Sequence, residues 1–492
     1  MTRTHKLIRW AGFALATILA VALLVPSARI LLYRQTDNAS GLAGKRAYLT
    51  HIGGLERNPT APNFVVILFD DLGYGDLGAY GSRTIRTPNI DRLAERGILF
   101  REAYAPSAYC TASRAGLLTG RHALRAGLDH VLAAPGSWPD TLLKLGGKNR
   151  RLPGEEITLA EVLSAAGYST AMIGKWHLGD RSPSLPNDMG FDRFFGLLVS
   201  HDQGRPALWS DREIVEEHPI DTATLTRRFT EQAVAFVEEA TDRPFFLYLA
   251  HTSPHVPLRV APDRLGRSEA GLYGDVVEEL DWSVGEIVAA LERLGLASDT
   301  LVLVSSDNGP WFQGSGGEVR GRKFDLFEGG TRVPLIASLP RCAGPGRVVD
   351  GPVSLLDVFP TAIELAGLRP PTDRLIDGVS LASVLDGRDP DPERPIYFHQ
   401  LAVARGIRIG RFKLHDRHAM PYGNPMNWSW SPNSYRGPWL FDLDSDPAEA
   451  YDVRARYPEV TASLQAKLAS WQREIAGNPG GWLREDGDIG DR

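Results

Sequence analysis

The sequence predicts an α/β sandwich built around a large, mostly parallel sheet. Three observations carry that prediction. From about residue 62 onward, short apolar runs alternate with amphipathic stretches. The runs lack the apolar–polar alternation of half-exposed strands, so both faces are buried, as in a parallel sheet between helical layers. The residues just beyond the runs are polar, at the strand ends where ligands bind in such sheets.

In order, the predicted strands are 63–69 (NFVVILF), 169–173, 245–250 (FFLYLA), 300–305 (TLVLVS) and 333–338 (VPLIAS). Between them, residues 88–96, 158–166, 224–240 and 275–294 carry amphipathic helical patterns, each with one apolar stripe to lay on the sheet. The first strand ends in Asp70-Asp71. The second runs into Gly174-Lys175-Trp176-His177, the third into His251 and Pro254-His255, and the fourth into Asp307-Asn308. Asp, Asn and Gly are common turn residues, so any one of these ends could be no more than a turn. Four such ends on one rim describe a site.

Composition narrows the classes. Of 492 residues, 43% are hydrophobic and 23% charged, too apolar for a disordered chain. A net charge of −6 offers no basic field for nucleic acid. Two cysteines, Cys110 and Cys342, exclude a disulfide-dense scaffold and a thiolate-built zinc site. Only eight of the 54 basic residues are lysines (6, 45, 144, 148, 175, 323, 413 and 467), so a lysine at a strand end stands out.

Arg3, Lys6 and Arg9 precede an uncharged stretch, 10–28, close to the length that spans a bilayer. Residues 1–34 thus read as a cleaved signal sequence or an uncleaved membrane anchor; Pro26 and the renewed apolar run 30–33 favour the anchor. Either way the body is exported, to the periplasm or the extracytoplasmic face of the membrane. Residues 35–61, polar and Gly-rich, read as a tether.

Asp70, Asp71, Asp307 and Asn308 form an all-oxygen donor set, suited to Ca²⁺ or Mg²⁺. Arg114, Lys175, His177, His255 and Lys323 would surround that cation with positive charge and donors, a setting for a tetrahedral sulfate or phosphate group. A helix is expected to start near Cys110, and Cys110 and Arg114, four apart, share its face; the helix start offers free N–H groups to an anion. Cys110 is a candidate nucleophile, or one half of a crosslink to Cys342. His201 and His251 rank below His255 as site residues and read more readily as structural histidines or as supports behind the site, and 148–151 as a solvated loop. Trp428, Trp430 and Trp439 read as a substrate wall or as packing for the C-terminal region.

Cys110-Thr-Ala-Ser-Arg114 followed by Leu118-Thr119-Gly120-Arg121 resembles the first signature of the sulfatase family, with Ala112 where the motif usually has Pro. The run from Gly167 to Lys175-Trp176-His177-Leu178 is similar to the second signature. Asp70-Asp71-Leu-Gly-Tyr-Gly-Asp, Ser306-Asp307-Asn308-Gly-Pro and the block from Lys323 to Arg332 resemble three more, and Ser200-His201-Asp-Gln-Gly204 resembles a segment of arylsulfatase A-like members.

The resemblance implies an alkaline phosphatase-like catalytic domain over 62–394 and a small α+β subdomain and tail with a short antiparallel sheet over 395–492. It implies hydrolysis of a sulfate monoester, aryl or other, to alcohol and inorganic sulfate. Cys110 would be converted by the formylglycine-generating enzyme to Cα-formylglycine, whose hydrate is the nucleophile, through a sulfo-enzyme intermediate. By the same resemblance Asp70, Asp71, Asp307 and Asn308 bind the metal with residue 110. Arg114 and Lys175 hold hydrate and sulfate, His177 is a base, His255 and Lys323 meet the leaving group and sulfate, and Ser200 and His201 meet the substrate. A phosphonate monoester or phosphodiester hydrolase on this fold, and an inactive membrane-tethered binding protein, are the alternatives.

Overall fold

The computed structural model describes residue 10 and residues 28–240, 243–340, 344, 346–416 and 437–483. The strands are β1 (Asn63–Phe69), β2 (Ile98–Tyr104), β3 (Ser169–Lys175), β4 (Arg193–Leu197), β5 (Leu208–Ser210), β6 (Glu213–Glu216), β7 (Phe245–Ala250), β8 (Thr300–Ser306), β9 (Arg332–Ser338), β10 (Arg347–Val349) and β11 (Val353–Ser354). They form one sheet in the order β10-β2-β9-β8-β1-β7-β3-β4-β5-β6, with β11 beside β2. The central strands β8, β1, β7, β3 and β4 run parallel. β9, predicted as another buried strand, runs antiparallel between β8 and β2.

Helices cover both faces: α1 (Ala39–Gly53), α2 (Pro88–Arg96), α3 (Cys110–Thr119), α4 (Trp138–Leu145), α5 (Leu159–Ala165), α6 (Leu225–Glu239), α7 (Gly271–Arg293) and α8 (Val358–Leu365). β1 shows why its sequence has no alternation. Phe64, Val66 and Leu68 pack into one core with α3, α5 and α8, while Val65, Ile67 and Phe69 pack into the other with α2, α6 and α7. Each of these side chains contributes about 1.5–3 kcal/mol by burial.

The predicted helices stand where their patterns put them. Thr158 caps α5 by accepting from the Glu161 N–H (3.1 Å), and the Glu161 carboxylate accepts the Thr158 N–H in return (2.9 Å). The tether expected over 35–61 is a correction. It holds α1, whose Lys45 donates to the carbonyls of Gly154 and Glu156, both at 2.8 Å, and pairs with Glu161 at 2.5 Å. That helix lacks a long apolar stripe; it docks through Lys45 together with Ile52, Tyr48 and Leu49, too few apolar positions for a helical pattern to show. The 148–151 stretch is likewise no solvated loop: Lys148 pairs with Asp129 (2.7 Å) and Arg151 with Asp37 (2.9 Å).

A second sheet, β12 (Ile396–Gln400), β13 (Val403–Ile409), β14 (Phe412–His415) and β15 (Trp439–Asp442), is antiparallel. Helix α9 (Pro458–Gly477) packs Leu464, Leu468 and Trp471 onto its Ile407, Leu414 and Leu440. A buried ion pair joins the two sheets, Lys413 with Glu328 at 2.8 Å, and within the second region His415 Nε2 lies 2.7 Å from Glu449. Among the described residues no helix is long and apolar enough to cross a membrane. The predicted 10–28 span lies, apart from its two end residues, outside the described residues, as do Cys342, Trp428 and Trp430. Trp439 packs beside Phe327 and Phe441.

Candidate active site

Parallel pairing brings the carboxyl ends of β1, β3, β7 and β8 to one rim, and the predicted residues meet there. Asp70 and Asp71 follow β1, and Asp307 and Asn308 follow β8; all four are buried. The Asp307 N–H donates to the Phe69 carbonyl at 3.0 Å, locking the two ends together. Asp71 adopts φ +67°, a left-handed conformation that Asp tolerates better than most residues and that marks stored strain.

Each acid has a basic partner from another element. Lys175 Nζ lies 2.6 Å from Asp70, and Lys323 Nζ lies 2.8 Å from Asp71. Arg114, one turn into α3, forks onto Asp307 through Nε (2.9 Å) and Nη2 (2.8 Å), and its Nη1 donates to the Lys175 carbonyl at 2.6 Å. Asn308 Nδ2 donates to Asp71 at 2.7 Å. His255 Nε2 stands 3.5 Å from the same carboxylate. Burial works to raise Asp70, but Lys175, His255 and Arg114 outweigh it and hold the carboxyl well below its usual range. Burial pushes Asp307 up against the pull of Arg114, with the Asp70 charge adding to the rise.

Cys110 is the first residue of α3 and is free and buried. Burial pushes its thiol up to about 11, so the unmodified side chain is protonated and a poor nucleophile at neutral pH. His177, at φ +58°, points Nε2 at the Leu132 carbonyl (2.9 Å), while its Nδ1 has no partner. A carbonyl only accepts, so the proton sits on Nε2 and Nδ1 keeps its lone pair. Burial and the Lys175 charge press its pKa well below the ordinary value, which keeps the ring neutral. Two glycines make the rim possible. A Cβ on Gly174 would lie 1.9 Å from the Ala250 carbonyl, and one on Gly196 1.9 Å from the Gly174 carbonyl.

Above the acids opens a cavity of about 290 Å³, lined by Cys110, Lys175, His177, Ser200, His255 and Lys323 among others. Such a pocket, cationic at its floor and open to solvent on one side, holds a small oxyanion and leaves its organic substituent outside.

The sulfatase family profile matches residues 62–368, which span every one of these side chains. This chain belongs to the sulfatase family. The N-acetylgalactosamine-6-sulfatase of Sus scrofa is 39% identical over 388 residues, covering 74% of this chain and 73% of that protein. Human arylsulfatase A is 37% identical, covering 84% and 89%. The crystal structure of the PsFucS1 sulfatase from Pseudoalteromonas sp. superposes with a TM-score of 0.75 at 27% identity, over 92% of this chain and 95% of that one. The protein is therefore a sulfuric ester hydrolase on an alkaline phosphatase-like fold.

Two sequence candidates of the sulfatase fall elsewhere. His201 is not among the residues lining the cavity; its ring packs edge-on against His255 at 5.6 Å, and burial lowers it to about 4. His251 is structural, with Nε2 3.1 Å from the Ser283 hydroxyl and its ring beside Phe69. The sequence reading missed the walls of the pocket: Val131, Asp202, Gln203, Val256, Trp311 and Phe324. Asp202, Gln203, Val256 and Phe324 lie in or beside motifs that hold predicted residues, and Trp311 follows directly on the Ser306–Pro310 block; that adjacency was the available signal, and Val131 alone of the six comes from a loop with no local mark.

Proposed function

We propose that this sulfatase cleaves its ester at residue 110, converted to Cα-formylglycine before folding by a formylglycine-generating enzyme, beside a hard divalent cation. The observation that carries the reading is the convergence of Asp70, Asp71, Asp307, Asn308, Arg114, Lys175 and Lys323 around one buried helix-terminal cysteine. The donors fit Ca²⁺ or Mg²⁺. Asp70 Oδ1 and Asn308 Oδ1 are buried acceptors with no donor, and one ligand atom each from Asp70, Cys110 and Asp307 lie within 4.8 Å of one another. Asp70, Asp71 and His255 form a second such group, which makes His255 a neighbour of the cation.

A formylglycine hydrate at residue 110 would supply the nucleophilic hydroxyl and a second, ionisable one, and a divalent cation held by Asp70, Asp71, Asp307 and Asn308 would supply charge neutralisation at the sulfuryl oxygens. The chain's own residues do the rest. Lys175 and Lys323 line the cavity and place ammonium groups against the ester's oxygens. Arg114 fixes Asp307 and the end of β3 as one rigid unit. His177 Nδ1, neutral and unpartnered, accepts a proton at residue 110; His255 donates toward the leaving oxygen, and Ser200 contacts the sulfate.

The export reading, with residues 10–28 as an anchor, suits this assignment because no step requires a cytoplasmic partner after maturation. Mass spectrometry of the peptide containing residue 110 tests the proposal. The aldehyde mass is expected in protein from the native host, and an intact thiol in active enzyme overturns it. Cys110→Ala should lose turnover of 4-nitrophenyl sulfate while keeping its thermal transition. A larger kcat/KM for a phenylphosphonate ester than for the sulfate would favour the phosphonate reading.

A further inference from the structure

Helix α4 is inside out. Its one acid, Asp140, is buried, accepting from the Gly136 N–H at 2.9 Å and pairing with Lys144 at 3.1 Å and with Arg150. Its apolar face points away from the body: Trp138 is 71% and Leu142 49% exposed, one helical turn apart. Soluble proteins seldom expose a tryptophan and a leucine on one stripe without something to cover them.

The end of the N-terminal segment is tied to the loop that follows α4. Residues 28–32 are helical, with Leu31 83% and Leu32 76% exposed. The next residues are pinned to the loop after α4. Tyr33 Oη donates to the Lys148 carbonyl at 2.5 Å, and the Arg150 guanidinium lies 5.9 Å over the Tyr33 ring. Gln35 donates to the Arg151 carbonyl at 3.0 Å and accepts from the Arg150 N–H at 2.8 Å. With the acids that face them, segments 28–37 and 129–151 carry Arg29, Arg34, Lys144, Lys148, Arg150 and Arg151 against Asp37, Asp129 and Asp140, a net charge of +3, with Lys148 paired to Asp129 and Arg151 to Asp37.

From this we infer that the outer face of α4, with Leu31 and Leu32, is a lipid-docking surface that seats the body on an anionic bilayer at the foot of residues 10–28. The inference rests on the reading of 10–28 as a retained anchor. Three features select lipid as the occupant. The uncharged segment ends five positions before Tyr33, which is tied to the loop after α4, the surrounding charge is a net +3, and an amphipathic face with Trp and Leu above lysine and arginine is the make-up of an interfacial helix. The chain also runs from the site to this surface: Val131 lines the catalytic cavity seven positions before Trp138, and the Leu132 carbonyl holds His177 at 2.9 Å.

The test uses the full chain with Cys342→Ser and single probe sites at Leu31→Cys, Leu142→Cys and Val215→Cys, each labelled with an environment-sensitive fluorophore. The proteins are reconstituted in phosphatidylcholine–phosphatidylglycerol vesicles, with and without spin-labelled lipid. Val215, exposed on β6, serves as the solvent reference. Spin-labelled lipid should quench the probes at 31 and 142 several-fold more than the one at 215. Quenching at 31 with a probe at 142 as wet as that at 215 would overturn the docking surface and leave the anchor standing. No quenching at 31 or 142 would overturn both. A probe at 142 that shifts to the blue with protein concentration, without lipid and without quenching, would assign the face to a second copy of the chain and overturn the lipid assignment.

Discussion

Replacing Lys323 tests the active site with least disturbance to the fold. Its ammonium lies 2.8 and 2.9 Å from the two oxygens of Asp71 and lines the cavity beside Cys110. Two unit charges 4 Å apart interact by about 4 kcal/mol at an effective dielectric constant near 20. Part of that attraction is already spent on Asp71 in the resting site. The share that grows as the sulfuryl group polarises is about 3 kcal/mol, the usual cost of deleting one preorganised donor. K323M should therefore lower kcat/KM for 4-nitrophenyl sulfate by about a hundredfold or more. The fold should hold, because Asp71 keeps the Asn308 amide at 2.7 Å. K323R retains the charge but must fit a planar fork beside Phe324 and Trp311 in about 290 Å³, and should recover no more than about a tenth of parental activity. Initial rates report the chemistry, calorimetry the fold, and elemental analysis the metal content. An arginine variant within about threefold of the parent would refute the argument that a compact ammonium is required. So would a folded, metal-loaded K323M with undiminished kcat/KM.

Removal of divalent ions by a chelator should stop turnover, and Ca²⁺ or Mg²⁺ should restore it; full activity in protein shown metal-free by elemental analysis would count against the oxygen-donor site. G174A drives a Cβ to 1.9 Å from the Ala250 carbonyl at φ +109°, beyond the about 1–3 kcal/mol of ordinary overpacking, so little folded protein should be recovered; a parental melting temperature would contradict the close approach. Asp377, half-buried against Arg125 at 2.8 Å, is raised by desolvation but drawn down further by the guanidinium, to about 2. Its folded value lies below the ordinary 3.8, so its stabilisation is complete above that and is lost as the pH falls toward 2. D377N should cost about 2 kcal/mol at neutral pH and flatten the acid side of the Tm profile; an unchanged acid slope would be the refuting result.

Much of the site was legible because metal and oxyanion chemistry restricts residue type. Carboxylates after two strands, lysines in a chain nearly free of them, and an arginine four positions past a cysteine are local facts. The strands were legible for a similar reason: a strand buried on both faces has no polar side to hide, so 63–69 and 245–250 read as unbroken apolar runs and match β1 and β7 end to end. His201 was misplaced because its neighbours in the chain reach the cavity while its own ring turns to His255. Sequence adjacency does not tell which way a side chain faces once the backbone leaves a regular element.

By itself, the sequence determined five of the large sheet's eleven described strands, the donor set and the family, since each depends on residue identity over a short window. Only the tertiary structure decided which base meets which acid. It also decided that α1 docks through Lys45, that His177 presents a free Nδ1, and that α4 turns its tryptophan outward. The physical reason is distance along the chain. Lys175 and Asp70 are 105 positions apart, and Lys323 and Asp71 252 apart, so their 2.6–2.9 Å contacts exist only once the parallel register of β8, β1, β7 and β3 has brought four strand ends to one rim.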